Sequence, residues 1–178
     1  PAVALRLLGE KDVLAAALLA GSAAGCAAAH LLREELAGSA GLWQAYTSGL
    51  SGRQQHLLWE SVVRQRGLQL ALLCLAAAAP PARLLFALSA LAMGFGGALL
   101  LSLLTLQLGW IGLAAFAGLL LPQWLCYGTV WAVLAAAAKK GAGRIRPGAW
   151  LLLAGLSATG MALEAWVNPL LWRFLPGI

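Results

Sequence analysis

The chain has 178 residues; 62% are hydrophobic and only 10% are charged, with 12 Lys and Arg against 6 Asp and Glu for a net charge of +6. An ordinary soluble domain carries about 25% charged residues. At a mean hydropathy of +0.85, the composition excludes an ordinary soluble globule, a nucleic-acid-binding domain and a disordered chain, and leaves lipid as the surrounding solvent.

The chain opens on Pro1, so its natural start is expected upstream. Pro1 to Asp12 is short and carries Arg6, Glu10, Lys11 and Asp12. Val13 to Leu32 is a twenty-residue run interrupted only by Ser22 and His30. About 20 apolar residues cross a hydrocarbon core of ~30 Å. A removable leader has a core of only about 7–15 residues, so the run predicts a retained span. Gly21, Ser22 and Gly25 give it a smooth face for close helix packing. Cys26, Cys74 and Cys126 all lie in apolar runs. An odd number in such runs reads as packing residues, not as a disulfide framework. Ala23-Ala24-Gly25-Cys26 is a weak match to a lipoprotein cleavage site; it lacks the usual Leu and the run continues past it, so lipidation is not expected.

Arg33 to Arg66 is the one long polar stretch, holding Arg33, Glu34, Glu35, Arg53, His56, Glu60, Arg64 and Arg66 with Trp43, Tyr46 and Trp59. Leu50-Ser51-Gly52 reads as a break, and Leu57, Leu58, Val62 and Val63 then follow helical spacing. Aromatics of this kind favour the membrane–water interface. The stretch is expected as an amphipathic segment over 33–66, outside the bilayer. Gly67 to Ala79 is apolar but only thirteen residues long, and Pro80-Pro81 and Arg83 end it. It is too short alone, so a span over 67–82 must borrow turns from the helix before it. Leu84 to Leu108 is long enough outright and contains Gly94-Phe95-Gly96-Gly97.

Trp110 to Ala138 is 29 residues without a formal charge, roughly 43 Å of helix and too long for one straight span. Pro122 divides it, because proline suits a helix's first turn. The expectation is a re-entrant or interfacial half-helix over 109–121 and a span over 122–138. Lys139, Lys140, Arg144 and Arg146 then crowd a loop ending at Pro147, and a last span runs over 150–171. The fold class is all-α: one polytopic helical bundle of about five transmembrane helices over residues 1–178, in the cell membrane. The basic loop carries no acid, so the positive-inside tendency places it in the cytoplasm. Counting back puts Arg83 and the N-terminus inside. The C-terminus falls outside, with Arg33, Arg53, Arg64, Arg66 and Arg173.

Glu164 is the ionisable residue deep in the last span. A charge at a helix centre costs about 2.5–3.5 kcal/mol on insertion scales. It marks an ion pathway, a protonation switch or a partner contact on one reading, and a hydrogen-bonded lock between helices on the plainer one. Asn168-Pro169 would free carbonyls nearby. Gln107 and Gln123 could bond freed backbone groups. His56 and Glu60 stand one turn apart, weak evidence for a metal. No nucleophile–base pair, phosphate loop or HExxH occurs. Neither catalysis, a cofactor nor a metal is expected, and the expected partner is the bilayer, not nucleic acid.

The order of these features resembles the stage II sporulation protein M family of endospore-forming bacteria. The resemblance rests on the small-residue-rich first span, the outer amphipathic stretch, Gly94-Phe95-Gly96-Gly97, Leu121-Pro122-Gln123, the basic loop, and the closing Glu164-Ala165-Trp166-Val167-Asn168-Pro169. It implies a membrane scaffold of the engulfment machinery, itself not a hydrolase. Its partners would be the peptidoglycan-degrading stage II sporulation proteins D and P. Gly94, Phe95, Gly96, Pro122, Gln123, Glu164, Asn168 and Pro169 would be structural or partner-binding positions. A homo-oligomer stays open. A rival expectation is a permease subunit of an ABC-type transporter, because a half-helix and a buried acid also resemble those proteins.

Overall fold

A computed structural model describes residues 10–34, 51–79, 81–140 and 147–172. Among them every element is helical: α1 (Glu10–Leu31), α2 (Gly52–Ala78), α3 (Ala82–Leu108), α4 (Trp110–Lys140), α5 (Pro147–Ala162), a π-helical turn (Leu163–Val167) and α6 (Asn168–Trp172). Four segments are long and apolar enough to cross a membrane: Asp12–Leu31, Ala82–Leu108, Leu120–Ala138 and Gly148–Leu171. The all-α bundle expected from composition is therefore present. Of the loop expected over 139–147, Lys139 and Lys140 instead close α4 and Pro147 opens α5; residues 141–146, and residues 35–50 of the amphipathic stretch, lie outside the described residues.

α1 packs almost wholly on α3, and its glycines explain how. A methyl group built on Gly21 would strike the Leu91 carbonyl, one on Gly25 the Phe95 carbonyl, and one on Gly94 the Leu18 carbonyl. The two backbones therefore touch across a seam that no side chain could share. Leu18 and Ser22 stand level with Gly94, Gly25 with Phe95 and Leu99, and Cys26 with Ser102. Contacts climb in the same sense on both helices, so α1 and α3 are parallel. Ser22 donates to its own Leu18 carbonyl at 2.9 Å, which satisfies the hydroxyl within the helix.

Because α1 and α3 are parallel, the chain must return between them, and α2 carries it back. α2 begins with a capping box: the Ser51 amide donates to Gln54 Oε1 at 2.8 Å and the Gln54 amide to Ser51 Oγ at 3.4 Å. The thirteen apolar residues are the second half of this one 27-residue helix, as their shortness required. Gln55, Trp59, Val62, Arg66, Leu70, Leu73 and Ala77 form its bundle-facing stripe at three- and four-residue steps.

α3 turns into α4 at Gly109, whose φ of 62° is a left-handed conformation glycine adopts without strain. The pair is an antiparallel hairpin. Gly112 lies against Leu104 and Gly97 against Trp124, and the Phe86 and Trp131 rings meet edge-on at 5.7 Å. Trp131 Nε1 donates to Ser89 Oγ at 2.8 Å. The expected break at Pro122 is corrected here. Residues 110–140 are one α-helix of 31 residues with Pro122 inside it. A proline removes one bond from the ladder, here the one to the Gly118 carbonyl.

Two apolar clusters fill the bundle. Ala77, Phe86, Val130, Leu134, Ala135 and Leu153 join α2 to α5 at the end where α3 starts. Leu104 and Ala115, with Leu100, Leu108, Phe116 and Leu171, form the other end. Between them, one turn from the first cluster and two from the second along α4, lies a polar layer.

Candidate functional site

Three helical segments build the polar layer, each by simple spacing. Gln55 and Arg66 are eleven residues apart on α2, three turns, and so share its bundle face. Gln123 and Tyr127 are four apart on α4. Glu164 and Asn168 are four apart at the chain's end.

The geometry of the last segment follows from Pro169. Proline offers no N–H to the carbonyl four residues back, Ala165, and its ring crowds that carbonyl in a regular α-helix. Here the chain widens into the π turn Leu163–Val167, with the Asn168 amide bonded to the Leu163 carbonyl. The Ala165 carbonyl instead accepts a hydrogen bond from Gln55 Nε2. A kink in the last helix is thus satisfied from α2, which meets the rule that backbone groups in lipid need internal partners.

Arg66 grips Glu164 with two parallel bonds, Nε to Oε2 at 2.7 Å and Nη2 to Oε1 at 2.6 Å. This fork-on-carboxylate geometry is the strong form of an ion pair. The two side chains are 25% and 19% exposed. Arg66 Nη1 also donates to Gln69 Oε1 at 2.8 Å, and the guanidinium lies 5.0 Å from the Tyr127 ring centre, within cation–π range. Tyr127 donates its hydroxyl to Glu164 Oε2 at 3.1 Å. The ring is seated by Gly160, where an added methyl would come within 2.7 Å of it. One helical turn further, Asn168 Nδ2 donates to Oε1 of Gln123, which is 2% exposed. The layer therefore clamps α2, α4 and the last helix through paired donors and acceptors.

Of the expected site residues, Gln123, Glu164, Asn168 and Pro169 come together here. Pro122 adjoins Gln123 but is exposed. Gly94 belongs to the α1 seam instead, Phe95 is 37% exposed and Gly96 meets nothing within 4 Å. Gln123 bonds the Asn168 side chain, where a freed backbone group was expected. Gln107 is exposed at the end of α3. His56 Nδ1 and Glu60 Oε1 do meet, at 3.3 Å, on the exposed side of α2. Among the described residues no three of His, Cys, Asp and Glu gather as metal ligands would.

Arg66, Tyr127 and Gln55 were not expected in the site. Arg66 read as one interfacial charge among several, yet it stands on the same stripe as Val62 and Ala77. Tyr127 passed as one more apolar residue, although it follows Gln123 by one turn. No protein-family model, curated protein or solved structure matches the chain.

Proposed function

We propose that the chain is a five-crossing protein of the cell membrane that serves as a scaffold, gathering peptidoglycan-degrading enzymes during engulfment as its resemblance to the stage II sporulation protein M family implies. Its N-terminus lies inside and its C-terminus outside. α2 is the fifth crossing, and Arg83, Lys139, Lys140, Arg144 and Arg146 then share the cytoplasmic side. The parallel course of α1 and α3 supports this count, since the chain has to travel back along α2 between them.

One observation carries the functional reading. Two of the sequence motifs that carry the resemblance, Leu121-Pro122-Gln123 and the closing Glu164 to Pro169, its most specific piece, lie some forty residues apart and meet through the Asn168–Gln123 hydrogen bond, with Tyr127, one turn after Gln123, bonded to Glu164. A scaffold has to hold helices at fixed positions while its lipid-facing sides stay open to partner spans. The polar layer supplies the rigid part. Leu19, Leu125, Leu151 and other outward side chains supply the open part.

Purification from mild detergent followed by mass spectrometry tests the reading. The expected companions are wall-degrading enzymes homologous to stage II sporulation proteins D and P. Recovery of a cytoplasmic ATPase in their place would support the permease reading and overturn this one. Glu164→Gln keeps the shape of the layer but removes its negative charge. It should lower recovery of the wall enzymes; unchanged recovery and unchanged wall remodelling would limit Glu164 to packing.

A further inference from the structure

α2 and α3 share their cytoplasmic boundary but not their apolar length. α2 ends at Ala78 and α3 begins at Ala82, joined by the bond from the Ala82 amide to the Ala79 carbonyl at 3.1 Å. From that common end α3 is apolar from Leu84 to Leu108, about 37 Å of helix. On α2 the side turned away from the bundle carries Leu75, Leu72 and Leu68, all exposed, and then meets Arg64 and Gln65, also exposed. Arg64 makes no ion pair among the described residues and cannot share the acid of Arg66, whose guanidinium already occupies both Glu164 oxygens. From Arg64 to Ala79 is fifteen residues, about 22 Å, against ~30 Å for an ordinary hydrocarbon core.

A cation cannot stay in hydrocarbon when headgroup phosphate is within reach. Arg64 reaches outward only by the length of its own side chain, and side chains on a helix lean toward its N-terminus, here the outer side. The remaining mismatch has to be met by the lipid, and a short apolar helix draws the bilayer thinner around it. We infer that the exposed face of α2 is a lipid-binding surface on which Arg64 holds outer-leaflet phosphates below their usual level, so that the bilayer is thinner along α2 than along α3. This rests on the reading of α2 as a crossing helix.

The test is a depth scan in dioleoyl phosphatidylcholine vesicles. Single cysteines are placed at positions 57, 61, 65, 68, 72 and 75 of α2, leaving Arg64 in place, and along the exposed side of α3, with Cys26, Cys74 and Cys126 replaced by Ala. Each carries a spin label, and collision with oxygen is compared with collision with a water-soluble nickel chelate. The oxygen-dominated window should span about 15 residues on α2 and 20 or more on α3. Windows of equal length would overturn the inference while leaving the crossing intact. No continuous window on α2 would overturn the crossing itself. Labels shielded from both reagents would show protein, not lipid, on this face, and would also overturn it.

Arg64→Leu should lengthen the α2 window by about one turn, four residues. A second readout spares the native cysteines: thermal stability in vesicles of graded chain length. The unaltered protein should be most stable in short-chain lipid, and Arg64→Leu should move that optimum to chains about two to four carbons longer. An unmoved optimum would contradict the role of Arg64.

Discussion

The α1–α3 seam and the polar layer join helices by opposite means. At the seam, Gly21, Gly25 and Gly94 bring bare backbone against backbone, and Ser102 Oγ adds a weak bond to Cys26 Sγ at 3.6 Å. In the polar layer, α2, α4 and the last helix are tied by charge-assisted and amide bonds among Arg66, Glu164, Tyr127, Gln123, Asn168 and Gln55. Lipid tails are as apolar as leucine, so neither joint can lean on the hydrophobic effect between helices. The seam uses shape, which any added atom spoils. The layer uses matched polar groups, which any removed atom spoils.

The contrast sets an order of expected effects. Glu164→Ala strands the Arg66 guanidinium, and breaking a buried pair on one side costs ~3–5 kcal/mol. Partial exposure of both side chains places the loss near the low end, and thermal unfolding in detergent by circular dichroism should show it. Gly25→Leu should cost about 1–3 kcal/mol by overpacking and should part α1 from α3. Cys26 and a cysteine introduced at Ser102, where Oγ and Sγ now stand 3.6 Å apart, would then no longer cross-link, while the polar layer stays intact.

Gln55→Ala leaves the Ala165 carbonyl without its donor, a loss of about 1–3 kcal/mol for an unsatisfied buried acceptor. The same change in a Pro169→Ala background should cost less, because an alanine in place of the proline can restore the helical N–H. The double-mutant cycle should give a coupling of about 0.5 kcal/mol or more. Additive losses would mean that Pro169 is not the reason for the Gln55 bond.

The spans were legible because length and hydropathy are local properties: Val13–Leu32 and Leu84–Leu108 need no knowledge of neighbours. The α1 face was legible for the same reason, since Gly21 and Gly25 are one turn apart. Glu164 stood out as a charge in an apolar run, but its partner did not. Arg66 lies 98 residues away, and only the arrangement of helices in space brings it near. Tyr127 was hidden because tyrosine is grouped with the apolar residue types in a composition count. Pro122 misled because proline suits both a helix start and a tolerated interior position, and the residues beside it do not tell the two apart.

The central claim is that the Arg66–Glu164 pair binds α2 to the last helix. Unfolding of Arg66→Leu, Glu164→Leu and the double variant in one detergent measures it directly. Each single change should destabilise strongly, and the double variant should lose clearly less than the sum of the two, with a coupling of about 2 kcal/mol. A double variant whose loss equals the sum of the two singles would contradict the claim.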